Sequence, residues 1–344
     1  IKQEMLSKGG EAAVAKEALM GQGMHDVLVM GTLRQFQRLT EKLRQQPFGL
    51  KDVARDIDAI LTNLEKQKWT MPLPHGRFLE LGPQTSIMGI VNVTPDSFSD
   101  GGRFFIADLA VEHALEMAAD GADIIDIGGA SSRPGSRMVD EDEELARILP
   151  VVERLAGENL ILSIDTCRAR VAEAALRAGA HIINDIGALE LDKGLAEVIC
   201  RRKAGLVLMH NRLQIRTDQG YINLVDDIIL ELQQALHRAQ SGGIGLEQVI
   251  MDPGIGFGKT TPQNLTLLKR LQDFRSLGQP ILVGASRKRF IGETLDLEVE
   301  RRMEGSLAAA VMAVMNGANI VRVHDVRETK MALRMADEMR RADG

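Results

Sequence analysis

Ser86-Ile87-Met88-Gly89-Ile90-Val91-Asn92-Val93-Thr94-Pro95-Asp96-Ser97-Phe98-Ser99-Asp100-Gly101-Gly102 is the stretch whose reading decides the fold. It begins as an apolar run of strand length and turns at Asn92 into a polar, turn-rich loop carrying an amide, hydroxyls, carboxylates, an aromatic ring and two glycines. A buried strand that ends in such a loop is how α/β enzymes present chemistry at the carboxyl ends of their strands. A doubly wound open sheet would place a glycine-rich turn after its first strand, and residues 92–102 do not have that form.

From this strand onward the same unit recurs. Apolar runs at 87–91, 124–127, 160–164, 182–183, 206–208, 249–251, 281–283 and 320–323 alternate with helical periodicity at 109–119, 142–155, 169–178, 224–240, 262–271, 304–316 and 326–341. Strand-helix alternation implies parallel strands joined by right-handed crossovers, and eight repeats over about 255 residues are the arithmetic of a (β/α)8 TIM barrel. Residues 1–75 read differently, as a small, mainly helical N-terminal module. Residues 11–20, 32–45 and 50–66 have helical patterns and 26–30 reads as one strand. The aperiodic, proline-flanked stretch 69–77 marks the boundary, so the barrel domain is expected to run over 76–344. Residues 78–81 are expected to pair with the start of the first barrel strand.

Length and composition agree with one large domain and an appendage: 344 residues, 44% of them hydrophobic, with 33 glycines against 10 prolines. A net charge of -6 gives no reason to expect nucleic acid or an anionic membrane as partner, so an anionic ligand requires a local cluster of cations. The two cysteines, Cys167 and Cys200, are too few for a disulfide framework and fit a reducing cytoplasm. No apolar run reaches the roughly 18 residues of a membrane span.

Polar residues gather where a barrel must carry its site. After the second strand comes Gly128-Gly129-Ala130-Ser131-Ser132-Arg133-Pro134-Gly135. Asp165-Thr166 follows the third, Asn184-Asp185 the fourth, and Asp252-Pro253-Gly254-Ile255-Gly256-Phe257-Gly258-Lys259 the sixth. Ser286-Arg287-Lys288 follows the seventh and Arg322-Val323-His324-Asp325 belongs to the eighth. One aspartate after a strand is most simply a helix cap, but equivalent polar positions around one barrel are poorly explained by capping alone.

In order and approximate spacing, over residues 77–341, these strings resemble the dihydropteroate synthase family, which joins a pterin pyrophosphate to para-aminobenzoate. The resemblance implies a pterin slot formed by Asp165, Asn184, Asp252 and Lys288. It implies a pyrophosphate site of Asn92, Arg322 and His324, with Mg²⁺ held by Asn92 and, in the first loop, Asp100. It also implies a para-aminobenzoate site of Phe98, Ser132, Arg133, Pro134 and the segment at Lys288 and Arg289. Asp100, Arg133, Lys288, Arg322 and His324 are the residues it places closest to the reaction, with Arg322 acting on the anion alone. Side-chain chemistry supports the slot independently: a carboxylate accepts the paired N–H donors of a pterin's pyrimidine edge, a lysine donates to its carbonyl, and an asparagine does both. Homodimers through the late helices are usual in the family.

Competing readings are weaker. Gly258-Lys259-Thr260 resembles the tail of a phosphate-binding loop, yet Pro253 stands where that motif needs glycine. Lys259 reads as a solvated or helix-capping lysine, His210 as a structural histidine and Cys167 as inert. A methyltetrahydrofolate:corrinoid methyltransferase shares the pterin pocket but needs neither Arg322 and His324 nor the long first loop. The chain departs from the family pattern in having Ala130 for a glutamate and Ser132 for a threonine.

Overall fold

The computed structural model describes residues 1–342 apart from 21–24, 94–102, 131–138 and 213–219. Its contacts divide the chain into two units, Ile1–Lys66 with Ser276–Gly278, and Gln67–Arg275 with Gln279–Gly344.

The first unit holds helices α1 (Lys2–Ser7), α2 (Leu33–Leu43) and α3 (Leu50–Glu65) and an antiparallel pair, β1 (Glu11–Val14) and β2 (Val27–Met30). Its core is Met5, Ala12, Leu39, Leu43 and Ala54, with Phe36, Val53 and Ile57 packed on it. The helix expected over 11–20 is absent: β1 is a strand, followed by the 3-10 helix Lys16–Met20. Alanine-rich sequence favours a helix only weakly, and here pairing with Val27–Met30, which buries Ala12, overrides the preference. Thr32 and Gln35 form a capping box that starts α2, satisfying backbone N–H groups that the helix cannot.

The second unit opens with a hairpin, β3 (Trp69–Pro72) and β4 (Phe78–Leu81), whose strands pair with each other and not with the first barrel strand. The sequence leaves this open because the turn at Pro74–Gly76 interrupts any period that would tie 69–72 to 78–81. The hairpin's inner residues, Met71, Leu73, Leu79 and Leu81, join Met88, Ile124, Ile182, Val207, Ile250, Leu282 and Ile320 in one cluster that fills the amino-terminal end of the barrel. This apolar plug leaves the carboxyl end for chemistry.

The barrel strands are β5 (Ser86–Asn92), β6 (Ile124–Gly128), β7 (Ile161–Asp165), β8 (Ile182–Asp185), β9 (Gly205–Met209), β10 (Val249–Asp252), β11 (Leu282–Val283) and β12 (Ile320–Val323). All neighbours are parallel, in the order β10-β9-β8-β7-β6-β5-β12-β11. A single parallel bridge, Met251 with Ile281, joins the two ends and closes the sheet. Closure buries both faces of each strand, which is why the strands read as nearly continuous apolar runs. Around them lie α4 (Arg103–Ala119), α5 (Glu141–Leu155), α6 (Ala169–Ala178), α7 (Leu195–Arg202), α8 (Leu224–Ser241), α9 (Thr261–Lys269), α10 (Arg289–Leu295), α11 (Met303–Met315) and α12 (Val326–Arg341). Among the described residues no helix is long and apolar enough to cross a membrane.

Candidate active site

Asp165 and Asp252 are the last residues of β7 and β10, and Asn184 is the last but one of β8, so the parallel strands deliver all three to one end of the barrel. Arg322, third residue of β12, reaches across this end. Its Nε lies 2.6 Å from Asp126 Oδ2 and its Nη2 lies 3.0 Å from Asp165 Oδ2. Asn184 Nδ2 donates to the same Asp126 oxygen at 3.0 Å. Asp126, Asp165, Asn184 and Arg322 are therefore one hydrogen-bonded group spanning four strands. Arg322 was expected to serve the anion alone; the structure pairs it with Asp126 and with Asp165, a residue expected in the pterin slot.

Burial sets the electrostatics. It pushes the Asp165 carboxyl up to about 7, against the pull of Arg322, and raises Asp252 against the pull of Lys288 and of the Gly254 N–H, which donates to Asp252 at 2.7 Å. Burial lowers the Lys288 ammonium to about 8, opposed by Asp252. It also works against the charge on Arg322, but Asp126 and Asp165 outweigh it and hold the guanidinium above its ordinary value. The mouth thus holds a carboxyl, Asp165, and an ammonium, Lys288, whose protons are poised near neutrality, a pattern that clusters at functional sites.

The segment after β10 wraps the lysine. Lys288 Nζ donates to the Ile255 carbonyl and stands 4.3 Å from the centroid of the Phe257 ring. Gly254 and Gly256 are required by this path, since both have positive φ, +69° and +82°, where a side chain is strained. A Cβ on Gly254 would stand 1.9 Å from the His210 carbonyl oxygen, and one on Gly256 would stand 2.7 Å from Lys288 Cδ. Lys259, expected to be solvated or helix-capping, is instead buried: its Nζ meets Gly254 O at 2.8 Å, Phe257 O at 3.0 Å and His210 Nδ1 at 3.0 Å. Burial lowers Lys259 to about 7 and His210 to about 4, so the imidazole is neutral, accepting from Lys259 and donating from Nε2 to Glu231 at 3.0 Å. Helical periodicity carried no sign of this because the lysine's partners are backbone carbonyls of its own loop.

Asn92 ends β5 beside Gly128 of β6. A Cβ on Gly128 would lie 3.7 Å from Asn92 Oδ1 and 3.6 Å from Asp165 Cβ, which puts Asn92 next to the carboxylate group. Asn92 and His324 both line a cleft of about 460 Å³, whose other wall includes Leu109, Glu112 and Glu116 of α4. His324 is oriented by Ser286, whose Oγ lies 3.0 Å from its Nδ1. Arg289 stands apart: its side chain is 79% exposed and pairs with Glu293 one helical turn along α10. Phe98, Asp100, Ser132, Arg133 and Pro134 lie outside the described residues. Burial, reinforced by Asp185, pushes the Cys167 thiol far above the ordinary range, which disfavours its thiolate. Asp126 lies inside a strand and not beyond its end, so its only sign in the sequence is a lone carboxylate within Ile124-Ile125-Asp126-Ile127.

Comparison with known proteins agrees with this geometry. Residues 88–324 match the pterin binding enzyme family. Dihydropteroate synthase of Clostridium beijerinckii is 47% identical over 259 residues, covering 75% of this chain and 95% of that protein. A probable bifunctional folylpolyglutamate synthase/dihydropteroate synthase of Halobacterium salinarum is 41% identical over 99% of this chain and 41% of its own length, so the match includes the first unit. The solved Xanthomonas albilineans dihydropteroate synthase with 4-aminobenzoic acid superposes with a TM-score of 0.74 at 42% identity, over 80% of this chain and all of that one. With the barrel, its mouth and these relatives in agreement, the chain belongs to the dihydropteroate synthases of the pterin-binding enzyme family.

Proposed function

We infer that the chain condenses 6-hydroxymethyl-7,8-dihydropterin pyrophosphate with para-aminobenzoate to give 7,8-dihydropteroate and pyrophosphate. The observation that carries the reading is the single group of Asp126, Asp165, Asn184 and Arg322, with Asp252 and Lys288 at the same end of the barrel. In this reading Asp252 accepts paired N–H donors of the pterin ring, Lys288 donates to its carbonyl side, and Asn184 does both. At the pterin methylene the bond to the pyrophosphate oxygen breaks and the bond to the arylamine nitrogen forms, the nitrogen losing its proton. No covalent enzyme intermediate is needed. Carboxylates near the ring favour positive charge there, while Arg322 and His324 favour negative charge on the leaving group; positioning and preorganised charge supply the rate.

Mg²⁺ belongs to the same proposal. Mg²⁺ takes oxygen ligands, few of them from protein, and shares them with substrate phosphates, which the Asn92 amide oxygen beside His324 suits. When bound it neutralises phosphate charge. Phe98, Ser132, Arg133 and Pro134 are assigned to the arylamine by resemblance; the X. albilineans relative was solved with 4-aminobenzoic acid. We assign the protein to the cytoplasm, in keeping with its two free cysteines. A homodimer is proposed from the surface of the late helices: Met331, Met335 and Met339 form a stripe at intervals of four on α12, with Met312 and Met315 on the neighbouring α11, each between 45% and 63% exposed. Incubation with the pterin pyrophosphate, Mg²⁺ and para-aminobenzoate tests the activity: dihydropteroate is the expected product, and its absence from folded protein refutes the reading. Analytical ultracentrifugation tests the dimer.

A further inference from the structure

In β6 one carboxylate stands in an apolar run, and Asp126 has no exposed surface. A buried carboxylate is costly unless paired, so its partners indicate its use. Both are side chains from other strands, and both meet the same atom: Asp126 Oδ2 accepts from Arg322 Nε at 2.6 Å and from Asn184 Nδ2 at 3.0 Å. The other oxygen, Oδ1, has no hydrogen-bond partner among the described residues. Arg322 therefore does not meet Asp126 as a fork on two oxygens; its second contact goes to Asp165. One oxygen sets two neighbours at once.

For Asn184 the chemistry is decisive. An ionised carboxylate only accepts, so the amide atom facing Asp126 must be the nitrogen. Asn184 Oδ1 and the second N–H are then left for a ligand. If the amide turned over, a ligand donor would meet N–H and a ligand acceptor would meet oxygen, turning attraction into repulsion. For Arg322, the same oxygen holds the guanidinium beside Asp165, a residue of the proposed slot.

We propose that Asp126 is a positioning residue of the pterin slot, fixing through one carboxylate oxygen the polarity of the Asn184 amide and the orientation of the Arg322 guanidinium. The proposal rests on the reading of this site as a pterin slot and deepens it by naming what determines its selectivity. Asp126 need not touch the ligand.

The test compares two rings by calorimetry, a pterin and its 2-oxo counterpart, in which the 2-amino donor is replaced by a carbonyl acceptor. Asp126→Asn keeps the shape but can donate as well as accept, so it no longer dictates which way Asn184 faces. The preference for the 2-amino ring should fall by about tenfold to a hundredfold, the worth of one charge-assisted hydrogen bond. In an Asn184→Ala background the same substitution should leave the preference unchanged, because the two residues act as a unit. An unaltered preference in folded Asp126→Asn protein overturns the proposal. A second readout needs no variant at Asp126: in the ligand-free wild type, the Asn184 side-chain NH₂, identified by its loss in Asn184→Ala, should show one proton shifted downfield and protected from exchange. Two freely exchanging protons would overturn the clamp. If the wild type binds neither ring, the pterin reading fails, and the amide signature still decides whether the clamp exists.

Discussion

Replacing Arg322 by methionine keeps most of the side chain's length and removes the charge that Asp126 and Asp165 share at 2.6 and 3.0 Å. Breaking a buried ion pair by deleting one partner costs about 3–5 kcal/mol, because the other charge is left uncompensated. The Arg322 side chain is 20% exposed and Asp165 12%, so water at the mouth softens one contact, while Asp126 at 0% has no such relief. Asp165 can also escape by taking a proton. Its carboxyl already lies at about 7 beside Arg322 and rises further without it. Below pH 7 the wild-type Asp165 is largely neutral and loses little in the variant; above pH 7 it is charged in the wild type, and the lost attraction counts increasingly as pH climbs toward the variant's higher value. The expected cost is therefore near 3 kcal/mol at pH 6 and larger at pH 8. At roughly 2–4 °C per kcal/mol for a domain of this size, the melting temperature should fall on the order of 6–12 °C at pH 6. In calorimetry, affinity for a pterin lacking phosphates should fall together with affinity for the pterin pyrophosphate, the latter further because a cation near the anion is gone. An unchanged melting temperature with only the pyrophosphate ligand weakened would refute the reasoning and make Arg322 an independent anion contact.

Other outcomes follow from single contacts. Asp252→Asn keeps the shape of the acceptor and removes its charge, so pterin affinity measured by calorimetry should drop by about 1.5–3 kcal/mol; undiminished binding would mean that the pocket is wrongly assigned. Gly254→Ala places a side chain at φ +69° against the His210 carbonyl, and should lower thermal stability by more than the roughly 1–2 kcal/mol of left-handed strain, with pterin binding falling too because the Asp252 and Lys288 contacts run through this turn. Lys259→Met leaves the Gly254 and Phe257 carbonyls without their donor and should unfold at lower temperature. Its pH dependence has a definite sign: Lys259 titrates at about 7 when folded against 10.5 as its reference value, so between these values the unfolded chain binds the extra proton. The wild type should then gain stability relative to Lys259→Met as pH rises from 7 to 10, and melting curves that stay parallel over that range would contradict it.

Most of the barrel was legible because closure imposes a strong local pattern. Each strand is covered on both faces, so 87–91 or 206–208 must be apolar throughout, and each crossover needs an amphipathic helix. That Asp165, Asn184, Asp252 and Arg322 share one end of the barrel was legible for a related reason: strand ends are where polarity breaks an apolar run, and in a parallel barrel those ends converge. Local pattern was silent where the deciding partner was distant in sequence. The strand at Glu11–Val14 depends on Val27–Met30, and β3 depends on β4 across a turn. Lys259 looks like a surface lysine until its loop folds against His210, 49 residues earlier. Asp126 looks like an anomaly inside a strand until Arg322, 196 residues later, and Asn184, 58 residues later, are brought to one of its oxygens. Apolar periodicity is a property of neighbours along the chain, and the sequence by itself determined what depends on it: the barrel, its polar end and the family. The charge pairing that joins Arg322 to Asp126 and Asp165, with Asn184 on the same oxygen, is a property of neighbours in space, and it came only with the tertiary structure, because Coulomb and hydrogen-bond energies depend on distances that barrel closure alone sets.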